Sequence, residues 1–435
     1  MCRRRFELNE IPSKSYHVIT ALGLALTAYI AVLATGDLHL ILVHVLAANR
    51  RLARERAELA RLSHESDRQP LICIQLPVHN EAAMVARAID AACGLDWPRD
   101  RLEIQVLDDA STDETPRIAA ERVAAWLAKG VRIVLHSRVD RSDYKAGLLR
   151  EGLRLTTADY VAVFDVDYWP DPMVIRDLMG ILLVDRRTAF VQARLDYRNR
   201  DHNWLTRAQA AELDTLIAYE HAARNWSGIP MTFSGTCAVW RREAIEDAGG
   251  WSGRSLTEDL DLSLRALARG WSSRFLATVS VAGELPESFA VLSAQRLRWG
   301  AGTAQQLRSW PWALHRQLAW HQSLAFFLLS QFHATVRVLL VALIGCVAWS
   351  AGTGSPGAGL LVASLCGVLA FIVQAKTIGA LLAMRIVGRR LTLRSAVDIG
   401  LMWCLQVSLI PIACKAAWES LLPGQREFRR TPKKG

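Results

Sequence analysis

The chain predicts an α/β fold: a mostly parallel sheet with helices on both faces, flanked by transmembrane and interfacial helices. Three observations carry this reading. Short apolar runs alternate with helical periods between about residues 70 and 285, acidic pairs stand where two of those runs end, and long apolar stretches lie near both ends of the sequence. Strand–helix alternation builds parallel sheets with both faces covered. Such sheets bind ligands beyond the carboxyl ends of their strands.

Taken in order, residues 16–48 are almost continuously apolar, broken only at Gly36-Asp37, and long enough to cross a bilayer. No small-residue cleavage site follows, so a retained anchor is expected. "NRRLARERAELARLSHESDR" then reads as a solvated helix leaving the membrane. "LICIQLPV", "LEIQVLDD", "VRIVLH" and "YVAVFDVD" read as strands, while "AAMVARAIDAAC" and "TPRIAAERVAAWLAKG" read as helices, the latter closed by Gly130. Two further apolar runs follow. The loop between them, "AGTGSPGAG", is uncharged, and the loop after them, "RIVGRRLTLR", carries four arginines. The positive-inside rule puts the second loop in the cytoplasm. Residues 395–422 contain Asp398, Gln406, Lys415, Glu419 and a mid-helix Pro411, and are expected to lie in the interface as an amphipathic helix. The resulting division is 1–69, anchor and basic cytoplasmic helix; 70–285, cytoplasmic α/β domain; 286–320, amphipathic interfacial segment; 321–394, two transmembrane helices; 395–435, interfacial helix and basic tail. About three spans follow. Arg3-Arg4-Arg5 argue against an external N-terminus.

Composition narrows the function. Fifty-two Lys+Arg against 42 Asp+Glu give a net charge of +10, combined with 51% hydrophobic residues. That pairing suits a membrane protein with cytoplasmic basic faces, or one that handles phosphorylated substrates. It does not suit a nucleic-acid binder, because the arginines cluster at membrane edges and no binding motif appears. The eight cysteines include no C-x-x-C pair, so neither zinc nor a disulfide framework is expected.

Chemistry gathers at the strand ends. "FDVDYWPDP" delivers Asp165 and Asp167, and positions i and i+2 of a strand share a face. Two such carboxylates beside a diphosphate suit Mg2+ or Mn2+. Asp108 and Asp109 are adjacent carboxylates that repel and need a compensating partner. Asn80 and Glu81 serve equally well as a helix start, and Ser111 and Asp113 as turn residues. In "TEDLDLSLRALARGW", Thr257 can cap a helix, and Glu258, Asp259 and Asp261 complement its dipole.

The joint pattern resembles a known family. Pro77-x-x-Asn80-Glu81, Asp108-Asp109-x-Ser111-x-Asp113, Tyr144-Lys145-Ala146-Gly147, Asp165-x-Asp167, "FSGTCAVWRREAIEDAGGW", Thr257-Glu258-Asp259 and Gln295-x-x-Arg298-Trp299 occur in the order of the inverting family 2 glycosyltransferases. The series D, D-x-D, T-E-D, Q-x-x-R-W is similar to the cellulose synthase superfamily, nearest its glucomannan/mannan-synthase-like branch and that branch's bacterial relatives. The resemblance covers roughly 70–315.

It implies a GT-A type, Rossmann-like domain at 70–285 that displaces the diphosphate of a nucleotide sugar, UDP-glucose or GDP-mannose, and extends a β-linked polysaccharide with inversion. It further implies nucleotide-sugar contacts from Pro77, Asn80, Glu81, Asp108 or Asp109, Lys145 and Asp165. Asp165 and Asp167 would hold the Mg2+ or Mn2+, and Asp259 would be the general base. Gln295, Arg298 and Trp299 would face diphosphate and acceptor. Guanidinium groups bind phosphate oxygens, and sugar C–H faces stack on indole. Thr236 falls where relatives line the acceptor site. The tail "FRRTPK" is similar to the F-x-V-T-x-K gating loop: Phe428, Thr431 and Lys433 match, and Arg430 replaces the valine. The implied partners are a nucleotide sugar, a glycan or glycolipid acceptor and the lipid bilayer of a bacterial inner membrane or its equivalent. A homo-oligomer or an export partner would supply the channel that about three spans do not. Two rivals stand beside this reading, a single-addition transferase acting on a membrane lipid and a degenerate, non-catalytic scaffold.

Overall fold

The computed structural model describes residues 13–65, 69–308 and 312–421. The gating-loop residues Phe428, Thr431 and Lys433 lie outside the described residues. The elements, in chain order, are α1 (Ser13–Glu65), β1 (Ile72–Val78), α2 (Val85–Cys93), β2 (Leu102–Asp108), α3 (Thr115–Leu127), β3 (Ile133–Ser137), α4 (Tyr144–Arg154), β4 (Tyr160–Val163), β5 (Tyr168–Trp169), α5 (Val174–Val184) and β6 (Thr188–Tyr197). They continue as α6 (Trp204–Leu213), a π-helical stretch (Asp214–Glu220), α7 (His221–Trp226), β7 (Ala238–Arg241), α8 (Arg242–Asp247), α9 (Glu258–Ala268), β8 (Ser272–Gly283) and α10 (Phe289–Arg308). The last four helices are α11 (Trp320–Gly352), α12 (Ala358–Ile386), α13 (Leu393–Ser408) and α14 (Ile410–Leu421).

The chain divides into two compact units. One takes the described residues up to His39 together with Phe327–Ile378, and the other takes Leu40–Phe326 and the described residues from Gly379 onward. The first is built of apolar helix. There Gly23 lies under Leu361 and Gly357 lies under Thr20, so small residues let the helices approach closely. Asp37, which interrupts the apolar run, stays helical and takes a 2.8 Å ion pair from Lys376. A charge among apolar helices is held only when paired in this way.

The second unit holds an eight-stranded sheet in the order β3-β2-β1-β4-β7-β6-β8-β5. The expected α/β architecture is present, with two corrections. The sheet is more mixed than expected: β1–β2, β1–β4, β2–β3 and β6–β8 pair parallel, whereas β4–β7, β5–β8 and β6–β7 pair antiparallel. Each antiparallel pair involves β5 or β7, strands of only two and four residues. The strand expected over 160–167 also stops at Val163. Asp165 and Val166-Asp167 turn the chain, closed by the Tyr168 N–H donating to the Asp165 carbonyl at 2.9 Å. The shared-face argument for Asp165 and Asp167 therefore does not apply.

Strands β1 and β4 are buried at every position, as apolar strands covered on both faces must be. Pro77 sits in β1 opposite Leu107 of β2, past the point where the ladder to β4 ends at Gln75. Its missing N–H is thus tolerated beside an open edge.

Two helical expectations also change. Within the basic part of α1, Glu55 is buried and accepts hydrogen bonds from the Thr278 N–H and hydroxyl, each 2.7 Å, so that face of the helix is docked rather than solvated. The segment 395–422 forms two helices that part at Leu409. Two of its polar residues face the domain: Asp398 pairs with Arg207 of α6 at 2.6 Å, and Gln406 donates to Glu212 of α6 at 2.6 Å. Four helices among the described residues are long and apolar enough to cross a membrane, Ser15–Leu62, Thr335–Gly352, Ala358–Ile386 and Leu393–Ser420, one more than the three expected.

Candidate active site

Parallel strands β1, β2 and β4 end along one edge of the sheet, and the acidic loops follow those ends. The first two loops are laced together. Asn80 has φ 52°, a left-handed conformation that Asn accepts more readily than most residues. Its N–H donates to the Ser111 hydroxyl at 2.8 Å, and its side-chain oxygen accepts from the Thr112 N–H at 2.7 Å. The Glu81 N–H donates to the Thr115 hydroxyl at 2.7 Å. These bonds shape the loops and fix where Asp108 and Asp109 stand.

The two adjacent acids find different surroundings. Asp109 is buried between two guanidinium groups, with Arg138 Nε donating at 2.5 Å and Arg141 Nε at 3.0 Å. The compensating partner that adjacent carboxylates need is thus supplied by "SRVDR", a stretch that carried no motif. Asp108, also buried, accepts the Ser111 N–H at 3.3 Å.

Beside them lies a second, denser cluster. Lys145, in the first turn of α4, donates to Asp165 at 2.5 Å and to the Gly235 carbonyl at 2.9 Å, and lies 3.8 Å from Glu258. Burial opposes its charge, but Asp165, Glu258 and Asp259 outweigh that and hold the ammonium above its ordinary value. Arg298 carries the opposite balance. Desolvation lowers it despite the attraction of Glu258, Asp165 and Asp259.

Asp259 occupies the second position of α9. Burial, reinforced by the neighbouring Glu258 carboxylate, pushes its acid up to about 7, and Lys145 only partly opposes this. Gly235, at φ +83°, lies against the Asp259 carboxylate, and a Cβ there would stand 3.0 Å from Oδ2. Only glycine meets both demands. Thr236, next in sequence, accepts the Asp165 N–H on its hydroxyl at 2.9 Å, so it braces the Asp165 turn.

The remaining acids of α9 are not the solvent-facing residues they resemble in sequence. Asp261 is buried and held by Arg265 at 2.7 Å and Gln306 at 3.3 Å, and Glu258 joins the Lys145 cluster. Thr257 stands at the N-cap with no side-chain bond to the helix; its hydroxyl pairs with Ser255 at 3.1 Å instead. Gln295, Arg298 and Trp299 fall on one face of α10 by their i, i+3, i+4 spacing, all half-buried. Asp167 follows Asp165 in the turn, and its carbonyl accepts the Glu284 N–H at 3.1 Å. Among the described residues no three His, Cys, Asp or Glu side chains gather as a preformed metal site. Sequence reasoning missed Gly235, Glu258, Arg138 and Arg141 as members of these clusters. Only Gly235 had a signal, in the "FSGTC" stretch.

The surplus of carboxylates over cations around Asp259, at the carboxyl edge of a nucleotide-binding type of sheet, suits acid–base chemistry next to a phosphorylated ligand. Comparison with known proteins agrees. Residues 160–375 match the family described as "Glycosyl transferase family group 2". The chain is 41% identical over 246 residues to glucomannan 4-beta-mannosyltransferase 1 of Oryza sativa subsp. japonica, covering 55% of this chain and 46% of that protein. It is 38% identical over 242 residues to glucomannan 4-beta-mannosyltransferase 2 of Arabidopsis thaliana, covering 55% and 45%. The chain thus spans about half the length of these relatives. Among solved structures it resembles the mannosyltransferase PcManGT from Pyrobaculum calidifontis, solved with GDP-Man and Mn2+, with a TM-score of 0.56 at 21% identity over 81% of this chain and 98% of that one. Residues 160–375 thus carry a family 2 glycosyltransferase domain, and the relatives that the chain resembles are mannosyltransferases.

Proposed function

We propose that the chain is an integral membrane transferase that moves a hexose from a nucleotide sugar onto a growing β-linked polysaccharide with inversion, its catalytic unit in the cytoplasm. The mannosyltransferase relatives favour GDP-mannose over UDP-glucose as donor. The observation that carries the reading is Asp259, a carboxylate poised at about 7 beside a site of opposed charges. A general base works best when its acid value lies near the working pH. The acceptor hydroxyl gives its proton to Asp259 as its oxygen attacks the anomeric carbon from the face opposite the leaving diphosphate.

Lys145 and Arg298 hold the diphosphate oxygens as charge leaves with them. Asp108 holds the nucleoside, since its carboxylate is less occupied than that of Asp109. Pro77, Asn80 and Glu81 shape that end of the seat. Trp299 and Gln295 receive the acceptor sugar, and a glycan is the acceptor in this reading. The carboxylate surplus fits a hard divalent cation, Mg2+ or Mn2+, which Asp165 and Asp167 would hold. When bound, that cation neutralises charge on the departing diphosphate.

The test offers radiolabelled nucleotide sugars to wild type and Asp259→Asn in nanodiscs with Mg2+ or Mn2+, and separates lipid-extractable from ethanol-insoluble label. Insoluble product from one donor, lost in the variant, is expected. Label confined to lipid would instead identify a lipid glycosyltransferase.

A further inference from the structure

The helix that bears Gln295, Arg298 and Trp299 is gripped by a residue outside every motif. Glu212, in the last turn of α6, is 8% exposed and accepts from Arg296 Nη2 at 2.6 Å and from Gln406 Nε2 of α13 at 2.6 Å. Arg296 lies inside the Gln295–Trp299 segment, and its guanidinium carbon sits 4.7 Å from the centre of the Trp299 ring. One carboxylate therefore links α6, α10 and α13, and its cationic partner covers one face of the indole.

We propose that Glu212 is a positioning residue for the acceptor: it holds Arg296, and Arg296 sets the plane of Trp299. The inference rests on the assignment of Trp299 to the acceptor subsite. Arg296 Nε has no partner among the described residues, so the short charge-assisted bond from Nη2 to Glu212 is what holds the guanidinium in its orientation. The side chains of Arg296 and Glu212 are only 12% and 10% exposed. Loss of the Glu212 charge leaves a buried cation with a weaker partner. Arg296 then moves toward water, and the face of Trp299 that it covered is left free to tilt. Indole stacking on a sugar depends on that tilt, whereas donor activation at Asp259, Lys145 and Asp165 does not. Gln406 adds a second hold from α13, so a shift of α13 reaches the ring through the same carboxylate.

The experiment uses the full chain in nanodiscs, with Glu212→Gln, Arg296→Lys and the exchanged pair Glu212→Arg/Arg296→Glu. It reads acceptor KM and kcat, donor hydrolysis by water, and thermal unfolding. Glu212→Gln and Arg296→Lys are each expected to raise acceptor KM about tenfold, between the values of an exposed and a fully desolvated cation–π contact. Donor hydrolysis and its pH profile stay unchanged. The exchanged pair recovers thermal stability but not acceptor KM, because a carboxylate cannot sit on the indole face as a guanidinium does. An unchanged acceptor KM in Glu212→Gln and Arg296→Lys overturns the inference. So does full recovery of KM by the exchanged pair, which would reduce the contact to packing. Failure of wild type to turn over any nucleotide sugar overturns the transferase reading, and this one with it.

Discussion

Two acid clusters stand along the same sheet edge, and they differ in how their charge is met. Asp109 is enclosed by Arg138 and Arg141, and Glu151 meets Arg138 at 3.4 Å as well, so two cations and two anions balance. Around Lys145 the balance reverses: Asp165, Glu258 and Asp259 crowd one ammonium and one guanidinium. A cluster that is satisfied internally stabilises the fold. One that is left with surplus negative charge is strained until a proton, a cation or a substrate arrives. By this difference the Asp109 cluster is scaffold and the Lys145 cluster is the proposed reaction centre.

The largest expected effect is at Asp259. Asp259→Asn should lower the transfer rate by about 10²–10⁴-fold, the range for loss of a general base. In wild type the rate should fall as pH drops through about 7, because protonation removes the base. The same variant should gain stability. The Asp259 acid is raised in the folded state above its unfolded value, so the ionised group destabilises the fold. That penalty is complete above about 7 and vanishes below the ordinary carboxylate value. Thermal unfolding should therefore show Asp259→Asn more stable than wild type at pH 8 and equal to it at about pH 3. A variant less stable than wild type at pH 8 would place Asp259 with the satisfied acids.

Asp109→Asn should do the reverse. It leaves buried Arg138 with only the longer Glu151 contact, 3.4 Å, and breaking a buried pair costs up to about 3–5 kcal/mol. Denaturant melts should show that loss, with donor KM little altered in the fraction that remains folded. A large rise in donor KM at unchanged stability would move Asp109 into the nucleotide seat.

Gly235→Ala comes next in size. The added methyl would meet the Asp259 carboxylate at 3.0 Å in a conformation that disfavours any side chain. Strain of this kind costs about 1–3 kcal/mol. Activity should fall more than stability, because the atom displaced belongs to the proposed base. Parallel melts and initial rates distinguish the two.

Much of this was legible in the sequence, for identifiable reasons. Strands such as Ile72–Val78 and Leu102–Asp108 are short apolar runs bounded by turn residues, so their local pattern and their tertiary role agree. Asp165 and Asp167 were legible as a pair but not in their conformation. The end of β4 is set by its antiparallel pairing to β7, some 75 residues later in the chain, and by the Thr236 hydroxyl on the Asp165 N–H. Pairings of that range leave no periodic trace. Arg138 and Arg141 look like ordinary surface cations in sequence, and only the fold brings them to Asp109. Asp398 and Gln406 point toward the membrane interface by composition, yet α6 claims both.

The smallest effect concerns the start of α9, where sequence and structure disagree about Thr257. A threonine at an N-cap ordinarily accepts a backbone N–H, and its loss costs about 1 kcal/mol. Here its hydroxyl turns to Ser255, so Thr257→Ala should change stability by no more than about 0.5 kcal/mol. Asn203→Ala is the control. Asn203 caps α6 with both bonds of a capping box in place, and its loss should show the full cost. What Thr257 does instead is pack. A Cβ at Gly302 of α10 would approach its methyl to 2.5 Å, so Gly302→Ala should exceed Thr257→Ala in both lost stability and lost activity, because it pushes the helix of Arg298 away from the helix of Asp259. The reverse order would return Thr257 to the capping role and leave the reactive cluster without this contact between α9 and α10.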